Sequence, residues 1–238
     1  MTYSLLWLPK VLTDAGLSVI EVPGWQNRGH GDEGQVLGVL CHHTCGPLHG
    51  DLPDLNVLID GRPDLGGPLC NLGLGRSGHY YMIAAGKGWH AGRGNWMGIT
   101  DGNAHLIGIE AENIGTSDHS GNPIEPWPQV QMDAYKRGCA AILKHIGASS
   151  IMCAGHKEYA LPHGRKDDPN FDMIMFRKDV AKLILGWVPP VIEVAPIPVL
   201  KPTPPKPMPI PPTAKAALGP KHIDHFETAA RAVDPDAT

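Results

Sequence analysis

Apolar positions along the chain follow two different spacings, and the changes between them mark its elements. Residues 36–42 (VLGVLCH) are almost continuously apolar over one strand length, as expected of a strand covered on both faces. Leu8, Val11 and Leu12 keep helical spacing before Gly16, which predicts a helix over 7–15. Strands are predicted at 17–23 (LSVIEVP), 79–86 (HYYMIAAG), 104–112 (AHLIGIEAE) and 150–154 (SIMCA). A helix is expected from Pro128 or Gln129 to Ile146, with Gly147 as its stop, and another over 171–185 before Gly186. Residues 23–34 read as loop, and 46–78 as a long irregular excursion of the kind that walls a binding cleft. The expected class is α/β, a mixed central sheet flanked by helices.

Composition adds a boundary. Twelve of the 24 prolines lie between 189 and 220, a density that blocks both helix and ladder. The expected organisation is therefore a folded domain over 1–188, a proline-rich linker over 189–220 and a short tail over 221–238, long enough for one helix. A net charge of −4 does not suggest a nucleic-acid partner. No apolar run reaches the roughly 18 residues of a membrane span. The N-terminal MTYSLLWLPK lacks a basic region and a small-residue cleavage site, so no secretory signal is expected. Five cysteines without framework spacing suit a reducing compartment.

Candidate chemistry concentrates at 155–169 (GHKEYALPHGRKDDP), where two His and several charged groups crowd a loop broken by Pro162 and Gly164. Such a loop is either simply solvated or organised by a divalent ion, since neutral imidazole and carboxylate both ligate zinc. The strand over 36–42 ends in His42-His43, and alternation sends these two rings to opposite faces, so at most one joins a given site. Glu110 and Glu112 interrupt an apolar strand and share a face. A carboxylate near a metal could act as general base. His90, in the Gly-rich turn WHAG, is a candidate substrate contact. Ligands drawn from distant segments, with water in the fourth position, are how a catalytic zinc site is built.

CHHT, the HAG of WHAGRG, IGIEAE and the H-x11-D pattern ending in GRKDDP together resemble the zinc-dependent N-acetylmuramoyl-L-alanine amidases of the type-2 family, relatives of the peptidoglycan-recognition proteins. WLPKVLTDAGL, DGRPDLGGPL and YYMIAAG are more similar to the amidase module of endolysins from phages of mycobacteria and related actinobacteria. The resemblance covers residues 1 to about 187. It implies Zn2+ held by His42, His156 and Asp168, Glu110 as general base and Lys166 as stabiliser of the transition state. His79 falls nearest the place where several relatives carry a catalytic Tyr, and with His90 it is expected to contact substrate. The implied partner is bacterial peptidoglycan, cut between N-acetylmuramic acid and L-alanine. The implied protein is a monomer, made in a host cytoplasm and acting at the cell wall.

A zincin would need HExxH, which is missing, and a zinc deaminase would need PCxxC after its H-x-E. The alternative of another class is a peptidoglycan-binding module without catalysis. The absence of a signal disfavours an exported autolysin, and the proline-rich segment disfavours a bare recycling amidase.

Overall fold

A computed structural model describes residues 3–116 and 124–186; the expected linker and tail, 189–238, lie outside the described residues. Six strands form one mixed sheet in the order β1-β6-β5-β7-β2-β8. These are β1 (Val19–Glu21), β2 (Gly38–His43), β5 (Leu72–Leu74), β6 (Tyr80–Met82), β7 (Leu106–Ala111) and β8 (Cys153–Gly155). β5, β7, β2 and β8 run parallel, while β6 is antiparallel to β5 and carries β1 parallel to itself. A separate two-stranded hairpin pairs β3 (Gly61–Arg62) with β4 (Leu65–Gly66).

Strand alternation gives the sheet two different faces. Val39, Cys41, Leu72, Leu74, Tyr80, Ile107 and Ile109 pack against α1 (Leu8–Asp14), α4 (Gln129–His145) and α6 (Met173–Ile184). On the other face Gly73 and Tyr81 lie under Leu52 and Leu58, and Leu40 and Leu106 lie under Ala91, Ile99 and Tyr159. The α4 stripe of Ala134, Tyr135, Gly138, Cys139, Ile142 and Leu143 has the helical period of a buried face. The C-terminal ends of β5, β7, β2 and β8, with the start of β6, meet at one edge of the sheet.

Several boundaries differ from those predicted. The 46–78 excursion is not irregular: it holds α2 (Leu55–Asp60), the β3–β4 hairpin and β5, an inner strand. β5 escapes a periodicity reading because it spans three residues with Gly73 at its centre, where a Cβ would press on Leu52 and Leu58. Residues Gly102–His105 form a helical turn, α3, so the strand predicted from 104 begins at Leu106. Ser150–Met152 is a 3-10 turn, leaving β8 only Cys153–Gly155, after which α5 (His156–Tyr159) begins at once. α6 starts at Met173 because Asp172 accepts hydrogen bonds from the N–H groups of Ile174 and Met175.

One helix residue ties these layers to the sheet edge. The Tyr135 hydroxyl accepts from His42 N at 2.9 Å and has the carbonyls of His42 and Ile109 at 3.1 Å. Tyr135→Phe leaves buried backbone groups of β2 and β7 short of a partner, so the folded state should lose about 1–3 kcal/mol in urea denaturation.

Candidate active site

The sheet edge presents chemistry in one register row. Gly73, Glu110 and His42 are paired neighbours on β5, β7 and β2, and paired residues share a face. β8 pairs Gly155 with Cys41, so His156 follows in the His42 row. Its position is fixed by Glu158, which accepts from Gly155 N at 2.9 Å and makes a two-pronged ion pair with Arg177. Lys157 N donates to Asp168 O at 2.6 Å, drawing the following loop back to the site.

His42 Nδ1 lies 3.0 Å from His156 Nδ1 and 3.0 Å from Asp168 Oδ2, and His156 Nδ1 is 3.1 Å from the same oxygen. All three side chains are buried. His156 Nε2 sits 3.0 Å from Ala91 O, an atom that can only accept, so the proton of neutral His156 is on Nε2. Its Nδ1 then brings a lone pair, not a proton, to Asp168. Converging lone pairs around a buried carboxylate suit a cation. Their spacing is close to the roughly 3.3 Å edge of a tetrahedron with zinc–ligand bonds of the usual length. The donor set of two imidazoles and a carboxylate therefore fits zinc.

His43 lies on the helix face of β2, its ring 6.5 Å from Trp127, and is not part of this trio. Of the crowded loop, Lys166 and Asp168 turn inward, while His163 and Asp167 are exposed. A second trio of ligand atoms, the thiols of Cys41, Cys139 and Cys153, lies between the sheet and α4 with sulfurs 3.5 and 3.8 Å apart. These thiols are enclosed by apolar side chains in the core, as small buried hydrophobes commonly are.

The two strand carboxylates have different surroundings. Glu110 Oε1 is 3.7 Å from His42 Nδ1, and Oε2 is buried without a hydrogen-bond partner among the described residues. Glu112 instead accepts from the Thr44 hydroxyl at 2.8 Å and from Asp54 N at 3.4 Å, with Arg76 at 3.9 Å. Burial and the Asp168 charge push Glu110 well above the ordinary carboxyl range, with Lys166 opposing them. Burial lowers Lys166 to about 8, although Asp168 and Glu110 favour its charged form. Burial and neighbouring His156 hold His42 down at about 4, against the pull of Asp168.

The two expected substrate contacts are placed differently from one another. His79 immediately precedes β6 at this sheet edge, with both ring nitrogens buried and unpartnered among the described residues. His90 is not a surface loop residue: it is 3 % exposed, and its Nδ1 lies 3.1 Å from His42 Nε2. His90 therefore touches a candidate ligand. Its depth depends on Gly108, where a Cβ would come within 2.7 Å of the His90 ring. Asn103, which holds the His90 turn, and Thr44, which engages Glu112, carry no spacing signal and were not expected.

A family model described as N-acetylmuramoyl-L-alanine amidase matches residues 32–171. The chain belongs to this family. No curated protein sequence matches it. Among solved structures, this amidase is similar to AmiD from E. coli in complex with anhydro-N-acetylmuramic acid-L-Ala-D-γ-Glu-L-Lys, at 19% identity and TM-score 0.50. That match covers 67% of this chain and 65% of AmiD. It also matches AmpD, a selenomethionine derivative, at 20% identity and TM-score 0.48, over 75% of this chain and 99% of that one. The catalytic domain of XlyA matches at 18% identity and TM-score 0.49, over 69% and 99%. At these identities the likeness is one of fold.

Burial gives the amidase a defined stability profile. Glu33 and Glu112 are both raised to about 8 by burial, so the folded chain keeps protons that the unfolded chain releases near 4.5. Their contribution is complete below 4.5 and is lost as pH rises to about 8. The lowered histidines act oppositely: their contribution is complete above 6.5 and is lost as pH falls toward 4. Above 6.5 the histidine effect is complete, and Lys166, lowered to about 8, adds stability only as pH approaches that value, so the melting temperature of the metal-free chain should fall from pH 6.5 toward 8. Glu33→Gln, which is remote from the trio, should flatten that fall. A slope unchanged by the substitution would show that Glu33 does not hold its proton.

Proposed function

We propose that this amidase hydrolyses the amide between the lactyl group of N-acetylmuramic acid and L-alanine in bacterial peptidoglycan, with zinc held by His42, His156 and Asp168. The observation that carries this is the pairing of the donor trio with Glu110, whose Oε2 has no hydrogen-bond partner among the described residues. Family membership supplies the bond class, and the muramyl peptide bound by AmiD is the substrate class that this reading extends to the present chain.

Zinc held there supplies Lewis acidity that makes water nucleophilic at neutral pH. Glu110 takes the proton of the attacking water at its free carboxylate oxygen and returns it to the departing nitrogen of L-alanine. The attack requires Glu110 ionised; burial is the larger cause of its raised pKa, and a cation held beside Asp168 would offset the second cause, the Asp168 charge. The Lys166 ammonium, near enough for the Asp168 and Glu110 charges to act on it, is proposed to stabilise the negative charge that develops on the carbonyl oxygen. Glu112 stays anchored to Thr44 and supports the edge rather than the reaction. His79, with neither ring nitrogen engaged among the described residues, is the remaining polar group proposed to meet substrate.

The biological role proposed is that of a phage endolysin acting as a monomer on the bacterial cell wall. Residues 189–220 are proposed as a spacer, on the strength of their prolines. No helix among the described residues is long and apolar enough to cross a membrane.

Mass spectrometry of purified peptidoglycan treated with the protein should show free stem peptides beginning with L-alanine. Glu110→Gln should keep zinc and fold while turnover drops about 10²–10⁴-fold. His42→Ala should lose stoichiometric zinc. Near-normal turnover by Glu110→Gln, with Glu112→Gln inactive, would transfer the base role to Glu112. Truncation after Val188 should leave melting temperature and hydrolysis of soluble muropeptides unchanged; a large loss of stability would mean that the C-terminal segment docks on the catalytic domain.

A further inference from the structure

The two candidate zinc histidines are held from behind by consecutive residues of one turn. His42 uses Nδ1 toward the trio and has Nε2 3.1 Å from His90 Nδ1. His156 also uses Nδ1 toward the trio and has Nε2 3.0 Å from the carbonyl of Ala91. A neutral imidazole carries a single ring proton, so a partner that accepts at Nε2 leaves Nδ1 as an electron-pair donor. Ala91 O is such a partner without ambiguity. His90 is one when its own proton is on Nε2 and its Nδ1 accepts.

A side chain also clasps the turn through its backbone N–H groups. Asn103 Oδ1 accepts from His90 N at 3.0 Å and from Ala91 N at 2.8 Å. Asn103 is buried in α3, immediately before the strand that carries Glu110. Further along that strand, Gly108 leaves the space that the His90 ring fills. Thus β7 supports the general base at one position and accommodates the back of the His42 ligand at another.

We propose that the Trp89–Gly92 turn, clasped by Asn103, is a positioning element that sets the tautomers of His42 and His156 together, through His90 and the Ala91 carbonyl. The turn acts through the two rings, by presenting both Nδ1 lone pairs to one point. This rests on the zinc assignment above. Outer partners of metal-binding histidines typically control about 10–100-fold of metal affinity.

Nitrogen-15 NMR of imidazole-labelled full-length protein reads the tautomers directly, before and after zinc is stripped. His42 and His156 should both remain Nε2–H tautomers in the stripped chain. In chelator competition, His90→Phe and Asn103→Leu should bind zinc about 10–100-fold more weakly. Asn103→Asp, which keeps an accepting oxygen for both backbone N–H groups, should restore most of the affinity lost in Asn103→Leu. A proton on Nδ1 of His42 or His156 in the stripped wild type overturns the proposal, and needs no variant to fold. Unchanged zinc affinity in folded His90→Phe and Asn103→Leu overturns it as well. A wild-type chain that takes up no zinc at all would instead overturn the zinc assignment, and the tautomer spectrum would still decide whether the turn sets the two rings.

Discussion

Three electron-rich atoms brought to about hydrogen-bonding distance in a buried place repel one another unless a positive charge joins them. With the tautomers proposed above, His42 Nδ1, His156 Nδ1 and Asp168 Oδ2 stand in that relation, and much of the surrounding structure keeps them there. The sheet supplies His42 and Glu110 at one height on adjacent parallel strands. The Glu158–Arg177 pair secures the start of α5, and the Lys157–Asp168 backbone contact returns the last ligand to the first two. Each link is modest alone. Together they hold an arrangement that its own electrostatics would otherwise pull apart.

Burial then divides groups that look alike in composition. Glu110 and Glu112 are both enclosed and both raised in pKa. Only Glu112 is held by a hydroxyl and a backbone N–H, and a carboxylate so engaged has less freedom to exchange protons. The polar groups of 155–169 divide likewise: one set faces the sheet edge, another braces helices, and His163 and Asp167 stay exposed. Density of charged residues in a sequence thus locates a site without assigning its members.

What could be seen in the sequence follows the range of the physics involved. The continuous apolar run of β2, the stripe of α4 and the parity of His42 against His43 are local, and each is visible in a few residues. β5 was hidden because its length and its glycine answer to Leu52 and Leu58 across the fold. The contact of His90 with His42 was not visible in the sequence because the space that receives the ring belongs to Gly108 on another element. The difference between Glu110 and Glu112 depends on Thr44 and Asp54, over fifty residues away, so alternation alone could not show it.

The adjacent histidines of β2 raise a problem of strand framing. A slip of one residue would turn His43 toward the site and His42 into the helix-side core, delivering the same imidazole to nearly the same place. Val39, Leu40 and Cys41 are all apolar, so hydrophobicity discriminates weakly between the two frames. The choice falls instead to shape and backbone contacts: the Tyr135 hydroxyl grips the N–H and carbonyl of His42, and the bare Gly108 on the neighbouring strand admits the ring that backs His42 alone. Proofreading of this sheet is therefore done by a phenol and a missing methyl group, not by the greasiness of the strand they inspect.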